Sequence, residues 1–134
     1  MKRLAIDVQP GEYAVARLDR ATPVPAGLLD PAEPGLVSIT RTPGELSVVC
    51  PAARAPETAT VDTDWRLLTV RGPLAFTLTG IIAALSSELA SAGVALFTLS
   101  TFDTDHVLVK AADLSRAVTA LRAAGHEVDD VNGA

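Results

Sequence analysis

One cysteine, Cys50, in 134 residues rules out an intrachain disulfide, so the fold must rest on an apolar core, and a reducing, cytoplasmic setting is the expectation. Aromatic residues are as sparse, with one Trp, one Tyr and three Phe, and 16 acidic against 11 basic residues give a formal charge of −5. The basic stripe and stacking side chains that nucleic-acid binding calls for are therefore absent, which excludes that partner class. No apolar run approaches the roughly 20 residues of a membrane-spanning helix. Asp7 interrupts the apolar stretch after Met1-Lys2-Arg3, so neither a membrane segment nor a secretory signal is expected. What is plentiful is apolar residue, 49% against 20% charged, which excludes disorder. A chain of this length buries about two thirds of its surface, enough for a core without disulfide or metal.

Proline and glycine fall in clusters, at Pro23–Pro34, Pro43-Gly44, Pro51–Pro56 and Gly72-Pro73, and these punctuate the chain. Between them, runs rich in Val, Ile, Leu and Thr predict strands at Leu4–Val8, Tyr13–Leu18, Leu36–Thr40, Leu46–Cys50, Arg66–Val70, Val94–Ser100 and His106–Lys110. Leu78, Ile81, Ile82, Leu85, Leu89 and Ala92 share one helical face, predicting a helix over Leu74–Ala92 with Gly93 as its left-handed stop. A second helix is predicted from Asp113, as N-cap, to Gly125, with Leu114, Ala117, Val118 and Leu121 inward. A short last strand follows at His126–Val128. From Arg66 the order is βαββαβ, the ferredoxin-like α+β plan of two helices on one face of an antiparallel sheet.

The first half repeats part of this plan. Leu36–Cys50 lies without gaps on Ala95–Val109, both reading strand, polar turn, strand, at an offset of 59 (Leu36 to Ala95). Tyr13 and Trp65 head the first strand of each unit at an offset of 52, so the first unit is expected to have a helix about two turns shorter, near Pro25–Leu29. Two units follow, residues 1–63, degenerate, and 64–134, complete. The stretch between Cys50 and Asp64 is too short for a second helix and a strand. Leu4–Val8 is therefore expected to turn at Gln9-Pro10-Gly11 and cover the Tyr13–Leu18 edge.

Chemistry concentrates in Ser100-Thr-Phe-Asp-Thr-Asp-His106. Asp103 and Asp105 supply too few oxygens for Ca²⁺, and no EF-hand spacing is present. The cluster reads either as a turn closed by its own side chains or as a carboxylate at a strand end receiving an ammonium or guanidinium. Gly72-Pro73, between strand and helix, can offer backbone donors to a carboxylate but lacks any phosphate-loop motif. Gly80, placed inside the predicted helix, implies close approach by a ligand or backbone, or tight helix packing. His106 and His126 have no Ser, Cys or Glu at motif spacing, so no triad or zinc site is predicted; no metal and no cofactor are expected. His106, Cys50, Tyr13 and Trp65 read as packing residues.

These residues resemble the tandem ACT-domain proteins, bacterial relatives of cytosolic arginine sensors and of aspartokinase regulatory domains. The resemblance is carried by Tyr13–Leu18, Val37–Thr42, Glu45–Pro51, Gly72-Pro73-Leu74 with Thr79-Gly80-Ile81, and Ser100–Val109. It covers most of Tyr13–Val128. Ala75 departs from it where a polar or acidic residue is common, and Phe102 and His106 replace frequent tyrosines, so it names no particular ligand. It implies a regulatory homodimer, not an enzyme, that binds a free amino acid between units. Gly72, Pro73 and Leu74 would offer backbone groups, Thr98, Ser100 and Thr101 would lie opposite, and Asp103 or Asp105 would meet the positive group. Between the two, Asp105 is favoured because the following strand fixes its direction. The alternative is a module for assembly alone with a vestigial pocket.

Overall fold

The computed structural model describes residues 3–57, 59–72 and 80–130. Ten regular elements follow in order: β1 Ala5–Val8, β2 Tyr13–Leu18, β3 Ser38–Arg41, β4 Leu46–Pro51, β5 Thr60–Val70, α1 Ile81–Ser91, β6 Leu96–Ser100, β7 Asp105–Lys110, α2 Leu114–Ala123 and β8 Glu127–Asp130. Short 3-10 turns, Ala52–Arg54 and Ala111–Asp113, follow β4 and precede α2. The chain divides into two compact units, Gly11–Trp65 (the first unit) and Met1–Pro10 with Arg66–Ala134 (the second).

In the first unit the strand order is β3-β4-β2 and then the opening half of β5. Strand β2 has antiparallel neighbours on both sides, β4 through Leu18↔Leu46 and β5 through Tyr13↔Trp65. The expected β1–β2 hairpin is therefore corrected: Thr60–Trp65 supplies the missing fourth strand, because β5 starts six residues before the predicted Arg66. A positive φ at Asp64 marks where the β2–β5 register shifts. The expected helix near Pro25–Leu29 is also absent. Residues 26–29 form turns, with Leu28 N donating to Pro25 O and Asp30 N to Gly27 O, since prolines at 23, 25, 31 and 34 lack helix donors. Leu28 alone from this segment enters the core, beside Leu18, Leu46, Val48 and Cys50.

In the second unit the order is β6-β7-β5-β1-β8. Strand β1 runs antiparallel to β5 (Ile6↔Val70, Val8↔Leu68) and parallel to β8 (Asp7↔Asp129). It joins this unit because Leu4, just before it, and its alternate residues Ile6 and Val8 are buried in the core with Leu85 and Leu89 of α1 and Leu121 of α2. Both helices stop as their glycines predict. Gly93 and Gly125 take positive φ, and each terminus closes with paired bonds: Val94 N to Leu89 O (2.9 Å) with Gly93 N to Ala90 O (3.0 Å), and His126 N to Leu121 O (3.1 Å) with Gly125 N to Arg122 O (3.0 Å). The start of α1 differs from expectation. Gly80 is its N-cap at φ 80°, a left-handed geometry that cannot lie inside the helix, and a Cβ there would meet nothing within 4 Å. The reading of Gly80 as a close packing contact is thereby corrected. Asp113 occupies the N-cap position of α2 without bonding the helix backbone; it accepts from Arg116 instead.

No helix of the described residues is long and apolar enough to cross a membrane. The two hairpins superpose in register. Ser38↔Val49, Ile39↔Val48, Thr40↔Ser47 and Arg41↔Leu46 recur 59 residues on as Phe97↔Leu108, Thr98↔Val107, Leu99↔His106 and Ser100↔Asp105.

Candidate functional site

Strand β5 ends at Val70, and the next residues, Arg71 and Gly72, leave the sheet beside the turn between β6 and β7. That turn is closed by its own groups: Thr101 N donates to Thr104 O at 2.9 Å. It is then anchored to β5 by Thr104 Oγ1, which donates to Val70 O at 2.6 Å. A cleft of about 390 Å³ opens here, lined by Asp7, Thr69, Val70, Arg71, Gly72, Asp103 and Thr104, all within the second unit.

Charge in and around this cleft is dominated by carboxylates. The Arg71 guanidinium is gripped by Asp7 through both its oxygens (2.6 and 3.3 Å), by Asp129 (3.0 Å) and by Glu127 (3.2 Å). These hydrogen bonds, with that to Asp7 the strongest, raise the Arg71 pKa further and keep it charged. One cation thus faces three anions, and Asp103, also lining the cleft, adds a fourth carboxylate. Thr69, which lines the cleft, has its Oγ1 3.0 Å from His106 Nδ1. Burial lowers the His106 pKa, with Asp105 opposing the shift, so the ring stays neutral.

The structure brings Gly72 and Asp103 together in the cleft. Ser100, Thr101 and Asp105 lie at the adjoining end of the hairpin: Ser100 Oγ donates to Asp105, and Thr101 closes the turn. Thr98 lies exposed on β6 opposite Val107, and Gly80 caps α1. Pro73 and Leu74 fall outside the described residues. Asp7, Thr69, Val70, Arg71 and Thr104 were not singled out from the sequence as site residues. A local signal exists for two of them: Asp7 is a lone carboxylate in the apolar run 4–8, and Arg71 directly precedes Gly72.

The remaining polar candidates are structural. Cys50 is fully buried, and burial raises its thiol pKa against the opposing charge of Arg54. Tyr13 is buried and its hydroxyl accepts from Leu36 N at 3.0 Å. Among the described residues no group of three or more His, Cys, Asp and Glu side chains is arranged to hold a metal.

The family model of the ACT domain matches residues 60–123, and a second model, described as an N-terminal domain, matches residues 11–58. Among solved structures, protein Atu0741 from Agobacterium tumefaciens is 38% identical over 97% of this chain and 95% of its own, with a TM-score of 0.87. VC0802 from Vibrio cholerae, a protein of unknown function, is 20% identical over 90% of this chain and 88% of its own, with a TM-score of 0.69. The ligand-free regulatory subunit of aspartate kinase from Thermus thermophilus shares the fold at 12% identity and a TM-score of 0.58, covering 92% of this chain and 97% of that one.

Proposed function

The chain belongs to the ACT-domain family, and from that premise we propose that it is a regulatory protein, without catalytic activity, that binds a free amino acid in the cleft between Gly72 and Asp103. The observation that carries the reading is the composition of that cleft. A zwitterion needs acceptors for its ammonium and donors for its carboxylate. The Asp103 carboxylate would supply the first and the Gly72 amide the second, since the Arg71 amide already donates to Ala5 O at 2.7 Å. Arg71 is already engaged by three carboxylates, so the free charge of the cleft is negative and favours the ligand's cationic end. The aspartate kinase regulatory subunit, which has this fold, is the precedent for the regulatory role. In this reading the two hairpins of equal register belong to two ACT units in tandem, and the working form is a homodimer.

A thermal-shift panel of the twenty amino acids tests it. A ligand at 100 times its Kd adds about 2.7 kcal/mol of stability, a clear rise in melting temperature. At least one amino acid is expected to give a saturating rise. If none does at millimolar concentration, the module serves assembly alone, and sedimentation should then show a stable dimer indifferent to amino acids.

A further inference from the structure

In the first unit the chain's own Arg41 lies across the place that corresponds to the hairpin end beside this cleft. Strands β2 and β5 end at equivalent positions, Leu18 and Val70, an offset of 52, and the hairpins β3–β4 and β6–β7 match pair for pair. The equivalent place is therefore bounded by the chain leaving β2 and by the Thr42–Glu45 turn. Three strand ends lie side by side there, through Arg41↔Leu46 and Leu46↔Leu18. Arg41 stands where the second unit has Ser100. Its guanidinium reaches the chain after β2, where Nη1 donates to Arg20 O and Nη2 to Thr22 O at 2.7 Å. Arg20, by the same offset, stands at the position of Gly72.

We propose that the first unit carries a second small-molecule site that the chain occupies with its own Arg41, and that removing this side chain opens it to a guanidinium or alkylammonium compound. A planar double donor meeting two backbone carbonyls is the geometry by which a ligand's guanidinium would be held. The site's walls do not depend on Arg41. The turn that presents the two carbonyls is closed by Thr22 N to Asp19 O at 3.0 Å. The hairpin end is closed by Thr42 N to Glu45 O at 2.9 Å and by Thr42 Oγ1, which accepts from Gly44 N and Glu45 N, both at 3.1 Å. Arg17, donating to Gly44 O at 3.0 Å, ties that turn to β2. The name of a ligand site, as against a plain surface contact, rests on the proposed reading of the equivalent cleft; the chemistry of the site rests on Arg20 and Thr22.

Chemical rescue tests this. Arg41→Ser, which installs the second unit's residue, is titrated with ethylguanidinium and followed by melting temperature and by amide shifts in the nuclear magnetic resonance spectrum. The expected result is a saturating millimolar response, above that of the wild type, with shifts concentrated at residues 19–22. An equal response in variant and wild type, or shifts centred elsewhere, overturns the proposal. Arg41→Gln, which keeps the aliphatic stem, repeats the titration should Arg41→Ser fail to fold. Asp103→Asn separates this from the proposed function: it weakens amino-acid binding at the cleft but leaves rescue of the Arg41 variant intact.

Discussion

The backbone amide of Leu4 donates to Nδ1 of His126 at 3.0 Å, which fixes that nitrogen as an acceptor and puts the ring proton on Nε2. From there it points to the two Glu88 oxygens at 3.0 and 3.1 Å. One imidazole thus ties the residue before β1, the residue before β8 and the helix α1 together, with His126 only 4% exposed. Replacing it by Leu orphans a buried amide and should cost about 1–3 kcal/mol in denaturant unfolding. Glu88→Gln, whose amide oxygen still accepts from Nε2, should cost less, about 0.5–1 kcal/mol. The reverse order would show that the imidazole is not the linchpin.

His106 gives the protein a pH dependence of known sign. Its folded pKa lies below the ordinary 6.5 because it is buried, so the unfolded chain binds the proton more readily. Stability is then fully present above about pH 6.5 and is lost as pH falls below it, at up to about 1.4 kcal/mol per pH unit. Unfolding midpoints measured between about pH 5 and 7 should show this slope. Substituting His106→Gln should flatten it, and an unchanged slope in the variant would assign it to another group.

How much of this was legible in sequence depended on whether the signal was local. Gly93 and Gly125 announce the helix stops because a left-handed C-terminal residue is a local requirement. The hairpin correspondence was legible because equal turn lengths force equal registers, as Thr42 N to Glu45 O and Thr101 N to Thr104 O, both 2.9 Å, bear out. Where Ala5–Val8 goes was not legible. An alternating strand fits any sheet with a vacant neighbour, and only the length of β5 decides which sheet that is. The cleft was half legible: Gly72 and Asp103 stand out in sequence, while Asp7 and Arg71 come to it through pairings more than 60 residues apart.

That correction changes what removing the N-terminus should do. Deleting residues 1–10 takes Leu4, Ile6 and Val8 from the second unit's core, and each large-to-small loss in a core costs about 2–5 kcal/mol. The sum rivals the whole stability of a small domain. Strand β2 keeps both of its neighbours. Hydrogen exchange should therefore show lost protection at Val107–Val109, with protection kept at Tyr13–Leu18. Protection lost first at Tyr13–Leu18 would restore the edge-cover role for β1.

Asp103 and Asp105 are separated by what already holds them. Asp105 accepts from Ser100 and is half-buried at the start of β7, whereas Asp103 is exposed at the turn and lines the cleft. A carboxylate bound to a neighbouring hydroxyl must give up or share that bond to receive a ligand; an exposed one gives up only water. Asp103→Asn should therefore weaken binding of whichever amino acid the panel identifies by about 1.5–3 kcal/mol, the worth of a hydrogen bond to a charged group. Asp105→Asn should act through the hairpin, changing the melting temperature more than the affinity. Calorimetric titration of both variants decides between them. A loss confined to Asp105→Asn would place the ligand against the β6–β7 strand ends and empty the cleft of its role.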